Sequence, residues 1–171
     1  RYLHASLEKE IMKRLLVVRP DAIGDVVLMI PLLNSLKGLY PDYEIYTLQK
    51  SYTQALLSNH PAVTQVLIDP KSEKKYQGVG GVFRYGKWLS TYNFEQVYFS
   101  YLDGFYAFAA QLAGIPIRVG DGNRLLQRCF LTHPVKQNFR ALAKHEVEQN
   151  FTLLTALNQS VELDTTMDIH L

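Results

Sequence analysis

A parallel α/β sheet with helices on both faces is the architecture this sequence predicts, and three observations predict it. Short apolar runs of strand length recur along the chain. Helical segments with apolar faces separate them, and glycines and prolines fall where one kind of segment gives way to the other. The 171 residues suffice for one substantial core and are few for two domains.

The elements follow in order. Arg1 to Lys13 is charged, lacks a signal-peptide core and reads as an N-terminal helical extension, so the folded domain is expected over 14–171. The absence of an initiator Met points to a fragment. Leu15 to Val18 is the continuous apolar run of a strand buried on both faces. Asp25 to Leu39 reads as a helix kinked at Pro31, whose ring removes a backbone donor, and ended by Gly38 and Pro41. Glu44 to Gln49 is a second strand. Ser51 is expected to cap a short helix through Asn59, closed by Pro61, and Gln65 to Ile68 is a third strand.

Lys71 to Gly81 is a polar, lysine- and glycine-containing loop. A helix over Val82 to Tyr92 and a fourth strand over Glu95 to Ser100 come next. Phe105, Phe108, Ala109 and Leu112 recur at helical spacing, giving a helix over Leu102 to Ala113 that Gly114 caps. Ile117 to Val119 is a short fifth strand, and Asp121 to Lys144 reads as irregular and basic. His145 to Leu157 is a helix with Val147, Phe151 and Leu154 on one face, and Thr165 to Leu171 is a last strand.

Composition excludes several functions. A net charge of +2 is too small to argue for nucleic acid. The single cysteine, Cys129, rules out an internal disulfide and a cysteine-based zinc site, which favours a reducing cytoplasm. The longest apolar run, Val26 to Leu33, is far too short to span a bilayer.

The chemistry concentrates after the first strand. There Gly24 and Asp25 occupy a turn that leads into an apolar helix, and α/β folds gather ligands at such strand ends. Asp25 has two readings: a first-turn carboxylate that offsets the helix dipole, or a general base at the mouth of a cleft. Position alone leaves both open.

That turn holds one glycine rather than the Gly-x-Gly-x-x-Gly of a dinucleotide fold. The cluster Gly78 to Gly81 follows a loop instead of a strand, and no Walker loop is present. His133 and His145 lack metal-ligand spacing, and there is no Gly-x-Ser-x-Gly elbow. The basic residues form two groups, Lys71, Lys74, Lys75, Arg84 and Lys87, then Arg118, Arg124, Arg128, Lys136 and Arg140. They read either as solvated surface or as positive walls for a phosphorylated or carboxylated ligand on the side of Asp25. Nearby aromatics, Tyr76, Phe83, Tyr85, Trp88, Tyr101, Phe105 and Tyr106, are core residues or stacking platforms for sugar rings.

Leu16 to Leu33, with its Arg-Pro-Asp-Ala-Ile-Gly-Asp core, resembles the N-terminal signature of family 9 glycosyltransferases, the heptosyltransferases of lipopolysaccharide core assembly. Asn59 to Val63, Val66 to Asp69, Ala113 to Gly120 and Lys144 to Leu154 agree with that resemblance, which covers about residues 14–158. It implies a Rossmann-like sheet corresponding to the N-terminal, acceptor-binding half of a GT-B enzyme. A C-terminal domain, absent here, would bind the nucleotide sugar, commonly ADP-heptose.

The resemblance places the catalytic carboxylate on Asp25 and requires no metal or other cofactor. It implies a lipid-linked anionic sugar acceptor at Arg84, Lys87, Arg118, Arg124, Arg128 and His145. The enzyme would be cytoplasmic, with peripheral contact at the inner membrane, and this half alone would be inactive. A non-catalytic carbohydrate- or nucleotide-binding module of the same fold is the alternative. A Rossmann oxidoreductase is disfavoured by the missing glycine pattern.

Overall fold

A computed structural model describes residues 12–123, 125–136, 146–157 and residue 168. Six strands form one sheet: β1 (Arg14–Val18), β2 (Glu44–Gln49), β3 (Gln65–Ile68), β4 (Gln96–Phe99), β5 (Ile117–Asp121) and β6 (His133–Val135). Their order is β3-β2-β1-β4-β5-β6 and every neighbouring pair is parallel. The α/β prediction holds. The order reverses direction at β1, so the crevice between the carboxyl ends of β1 and β4 is the topological switch point.

Helices α1 (Ile23–Leu28), α2 (Ile30–Leu39), α3 (Gly81–Ser90), α4 (Gly104–Leu112), α5 (Leu125–Arg128) and α6 (Glu146–Thr152) complete the described chain. β1 is apolar throughout its buried length because helices cover both faces. Leu15 and Val17 point into a core with α1, α2 and α6, where Met29, Leu33, Leu36, Val147 and Phe151 are buried. Leu16 and Val18 point into the other core, with Tyr85, Leu89, Tyr106 and Ala110 of α3 and α4. Strand alternation thus divides one sheet between two cores.

Gly86 lets α3 and α4 close on each other, since a Cβ there would lie 2.7 Å from Leu112 Cβ and 3.1 Å from the Ala109 carbonyl oxygen. The contacts of Gly81 explain part of the glycine cluster: its Cβ would collide with the Tyr76 carbonyl. Gly78 instead adopts a φ of +71° in the preceding turn, with open space around it.

Three expectations need correction or refinement. The helix after β1 starts at Ile23 and breaks at Met29, so Pro31 sits in the first turn of a second helix, where its missing N–H costs nothing. Ser51 is the first residue of a 3-10 helix ending at Leu56, and it does not cap it; Lys50 holds the cap position with no side-chain bond. The stretch Asp121 to Lys144 contains α5 and the edge strand β6. The proposed last strand and the N-terminal extension up to residue 11 fall outside the described residues, apart from residue 168.

Candidate active site

Most strands deliver a polar or charged residue to the carboxyl edge of the sheet. Arg19 follows β1, Lys50 follows β2, Asp69 follows β3, Ser100 follows β4 and Lys136 follows β6. Two polar centres result, one at the switch point and one beside β3.

At the switch point Arg19 is the hub. Its side chain is 7 % exposed, with Nε 2.8 Å from Asp21 Oδ1 and Nη2 3.0 Å from Asp25 Oδ1. Its Nη1 donates to the Ser100 carbonyl oxygen at 2.7 Å and to Ser100 Oγ at 3.2 Å. Ser100 Oγ in turn donates to Asn150 Oδ1 at 2.7 Å, and Asn150 Nδ2 donates to the Leu28 carbonyl oxygen at 3.1 Å. A buried guanidinium requires this density of acceptors, because its desolvation is costly unless it is paired.

Asp25 belongs to the first turn of α1 and does not cap it. The N-cap is Ala22, which has no side-chain cap bond. The Asp25 carboxylate is paired with Arg19 and remains 30 % exposed at the switch point. Its first-turn position also lets it offset the dipole of α1. Burial pushes the Asp21 carboxyl above the ordinary carboxylate range; Arg19 pulls it back and Asp25 adds to the rise. Tyr52 donates its hydroxyl to the Asp21 carbonyl oxygen at 2.8 Å, tying the turn to the segment after β2.

The second centre is Asp69, whose side chain is completely buried. Tyr85 donates to Oδ1 at 2.8 Å, Tyr106 to Oδ2 at 2.7 Å and the Lys71 backbone N–H to Oδ1 at 3.0 Å. Lys50 Nζ lies 3.3 Å from Oδ2. Burial, with the nearby carboxylate, drives the Tyr85 and Tyr106 hydroxyls far above the usual phenol value, so both stay protonated donors. Lys71 Nζ lies 4.5 Å and 4.4 Å from the ring centres of Phe105 and Tyr106 and 3.4 Å from Asp103 Oδ1.

The nominated basic residues separate. Arg84, one turn into α3, donates to the Lys75 carbonyl oxygen, and Lys87 and Arg128 are exposed on α3 and α5. Arg118 requires correction. It lies level with Val97 and Leu16, short of the carboxyl edge, and donates to the carbonyls of Phe130 at 2.6 Å and Ile115 at 2.5 Å. Both carbonyls precede strands, so this guanidinium braces the amino edge, and burial lowers its pKa. Arg124 and His145 lie outside the described residues.

Among the aromatics, Tyr76, Tyr85 and Tyr106 are core, while Phe83 and Tyr101 are exposed. Missed by the sequence reading were Arg19, Asp21, Ser100, Asn150 and the bonding of Asp69. Arg19, Ser100 and Asp69 each stand immediately past a strand, which is the signal that points to them.

No group of three or more His, Cys, Asp or Glu side chains is placed to hold a metal among the described residues. Nor is any described helix long and apolar enough to cross a membrane.

Fold and site together define a Rossmann-like domain that presents an Arg-held pair of carboxylates at its switch point. No family profile and no curated protein sequence matches the chain. Solved structures do. The family 9 glycosyl transferase of Veillonella parvula matches with a TM-score of 0.74 at 20 % identity, over 92 % of this chain and 44 % of that one. The ADP-heptose lipopolysaccharide heptosyltransferase II of E. coli matches with a TM-score of 0.71 at 21 % identity, over 92 % and 46 %. The E. coli heptosyltransferase WaaC, solved with ADP, matches with a TM-score of 0.68 at 18 % identity, over 90 % and 51 %. The chain thus has the Rossmann-like fold found in these glycosyltransferases and spans about half of their length.

Proposed function

We propose that this chain is the acceptor-binding half of an inverting glycosyltransferase, with Asp25 as its general base. The observation that carries the reading is a carboxylate at the switch point, fixed by a buried arginine yet still 30 % exposed. In the transition state the Asp25 carboxylate accepts the proton of an acceptor hydroxyl while that oxygen attacks the anomeric carbon of the donor sugar. The bond from that carbon to the diphosphate oxygen breaks, the nucleoside diphosphate leaves with the electron pair, and the anomeric configuration inverts.

Of the similar structures, heptosyltransferase II is named for ADP-heptose and WaaC was solved with ADP, which supports heptose from ADP-heptose as the donor and a lipopolysaccharide core sugar as the acceptor. A second domain would hold the nucleotide. Exposed Ile23, Tyr52, Tyr101, Leu125 and Leu126, which all follow strand ends, suit the face such a domain would approach. Arg84, Lys87, Arg124, Arg128 and His145 are assigned to the anionic acceptor, in a cytoplasmic enzyme that meets its lipid-linked substrate at the membrane surface.

The test joins this domain to its nucleotide-sugar domain and measures ADP release from ADP-heptose with a core acceptor. Asp25→Asn should lower turnover by about 100-fold or more. A wild-type rate would remove the base assignment. Lys87→Ala and Arg128→Ala should raise the acceptor KM and leave the donor KM unchanged; equal effects on both would remove the assignment of the acceptor to this half.

A further inference from the structure

The ring of contacts around Arg19 closes on the helix where it starts. From Asp25, in the first turn of α1, it passes through Arg19 at the end of β1, Ser100 at the end of β4 and Asn150 in α6. It returns to the carbonyl of Leu28, the last residue of α1. We propose that Asn150 is a positioning residue for Asp25, acting through Ser100 and Arg19 to fix both the carboxylate and the helix that carries it. This rests on the reading of Asp25 as the base.

Three features support the assignment. Asn150 is only 2 % exposed on a helix whose other buried residues, Val147 and Phe151, are apolar. A leucine would satisfy that environment at lower desolvation cost, so a buried amide there needs a reason in its partners. Both of its bonds lead to the Asp25 helix, one directly at Leu28 and one through the Arg19 clamp.

The need for such a device is also visible. α1 has six residues and no side-chain cap, and a break at Met29 separates it from α2. A helix that short holds its orientation poorly by itself. Arg19 fixes its first turn, Asn150 fixes its last carbonyl, and Ser100 links the two by accepting from one and donating to the other. Proton transfer depends on carboxylate placement within fractions of an ångström, so α6 contributes to turnover without touching substrate.

The experiment has two readouts on the same variants, Ser100→Ala and Asn150→Leu. In the joined enzyme each should lower kcat by about ten- to a hundredfold with the acceptor KM unchanged. The double variant should lose no more than the worse single one, because both cut one ring. In the chain itself, the Nε–Hε resonance of Arg19 in a ¹H–¹⁵N spectrum should shift in both variants and in Asp25→Asn.

An unmoved Arg19 resonance, additive losses or an unchanged kcat would each overturn the proposal. Ser100→Ala keeps it falsifiable if Asn150→Leu fails to fold, since it leaves α6 untouched. Failure of the base reading shows separately, as full turnover in Asp25→Asn while the Arg19 resonance still responds to Asn150→Leu.

Discussion

Asp69 and Arg19 are both buried charges set just past the carboxyl end of a strand, one after β3 and the other after β1. Around Asp69 the partners among the described residues are all donors, and the carboxylate is sealed from solvent. Around Arg19 the charge is equally buried, but two of its acceptors, Asp21 and Asp25, keep 25 % and 30 % of their side-chain surface exposed. The same edge therefore carries one network that seals its carboxylate and one open network that exposes two. A sealed carboxylate can only stabilise, whereas an exposed one is a held functional group for a ligand. Burial of the carboxylates separates the two roles, since Lys50 beside Asp69 is itself 35 % exposed.

Substitution at the two carboxylates should break the symmetry most visibly. Asp69→Ala leaves the Tyr85 and Tyr106 hydroxyls and Lys50 without their acceptor, and should cost about 3–5 kcal/mol by denaturant unfolding. Asp25→Asn leaves Arg19 paired with Asp21 and bonded to Ser100, and should stay within about 1 kcal/mol of wild type. A large loss at Asp25 would mean that the switch-point network is structural as well. Tyr106→Phe removes one bond to Asp69 and should cost about 1 kcal/mol.

How far the sequence disclosed this contrast varies with the kind of signal. β1, α3 and α4 were legible because their apolar residues follow strand or helix periodicity over five to ten positions. β6 was not legible. It has three residues, and Pro134 in its middle lacks an N–H and argues against a strand; an edge position tolerates it. Asp25 was visible because Gly-Asp before a helix is a local pattern. Arg19 and Asn150 were invisible as a pair because 131 positions separate them and only the parallel sheet joins them. Arg118 misled for a related reason: a positive charge near a strand does not reveal which end of the strand its side chain serves.

Two glycines sharpen the functional side of the comparison. A Cβ at Gly24 or at Gly38 would meet nothing within 4 Å. Both lie in helices, so Gly24→Ala and Gly38→Ala should each stabilise the fold by about 0.5–1 kcal/mol in thermal unfolding. Only Gly24 lies one residue from Asp25 at the crevice. Gly24→Ala should therefore also lower transfer in the joined enzyme, while Gly38→Ala leaves it unchanged. Equal transfer rates would show that the space above Gly24 is not used by substrate.

Asp21 gives the smallest effect and the finest test, because it is the partner of Arg19 for which burial outweighs pairing. Its carboxyl titrates above the ordinary value of 3.8 in the folded state, so between that value and its raised one the native protein holds more protons than the unfolded chain. Its contribution to stability then falls as pH rises through that window and stays lowered above it. Asp21→Asn should raise Tm at neutral pH by about a degree or two, and the gain should vanish as pH drops below the ordinary carboxylate value. A lower Tm at neutral pH would mean that the ion pair with Arg19 outweighs burial, making Asp21 a structural tether for the arginine. In that case the open network would hold one exposed carboxylate for chemistry and one for support, rather than two that share a single counter-charge.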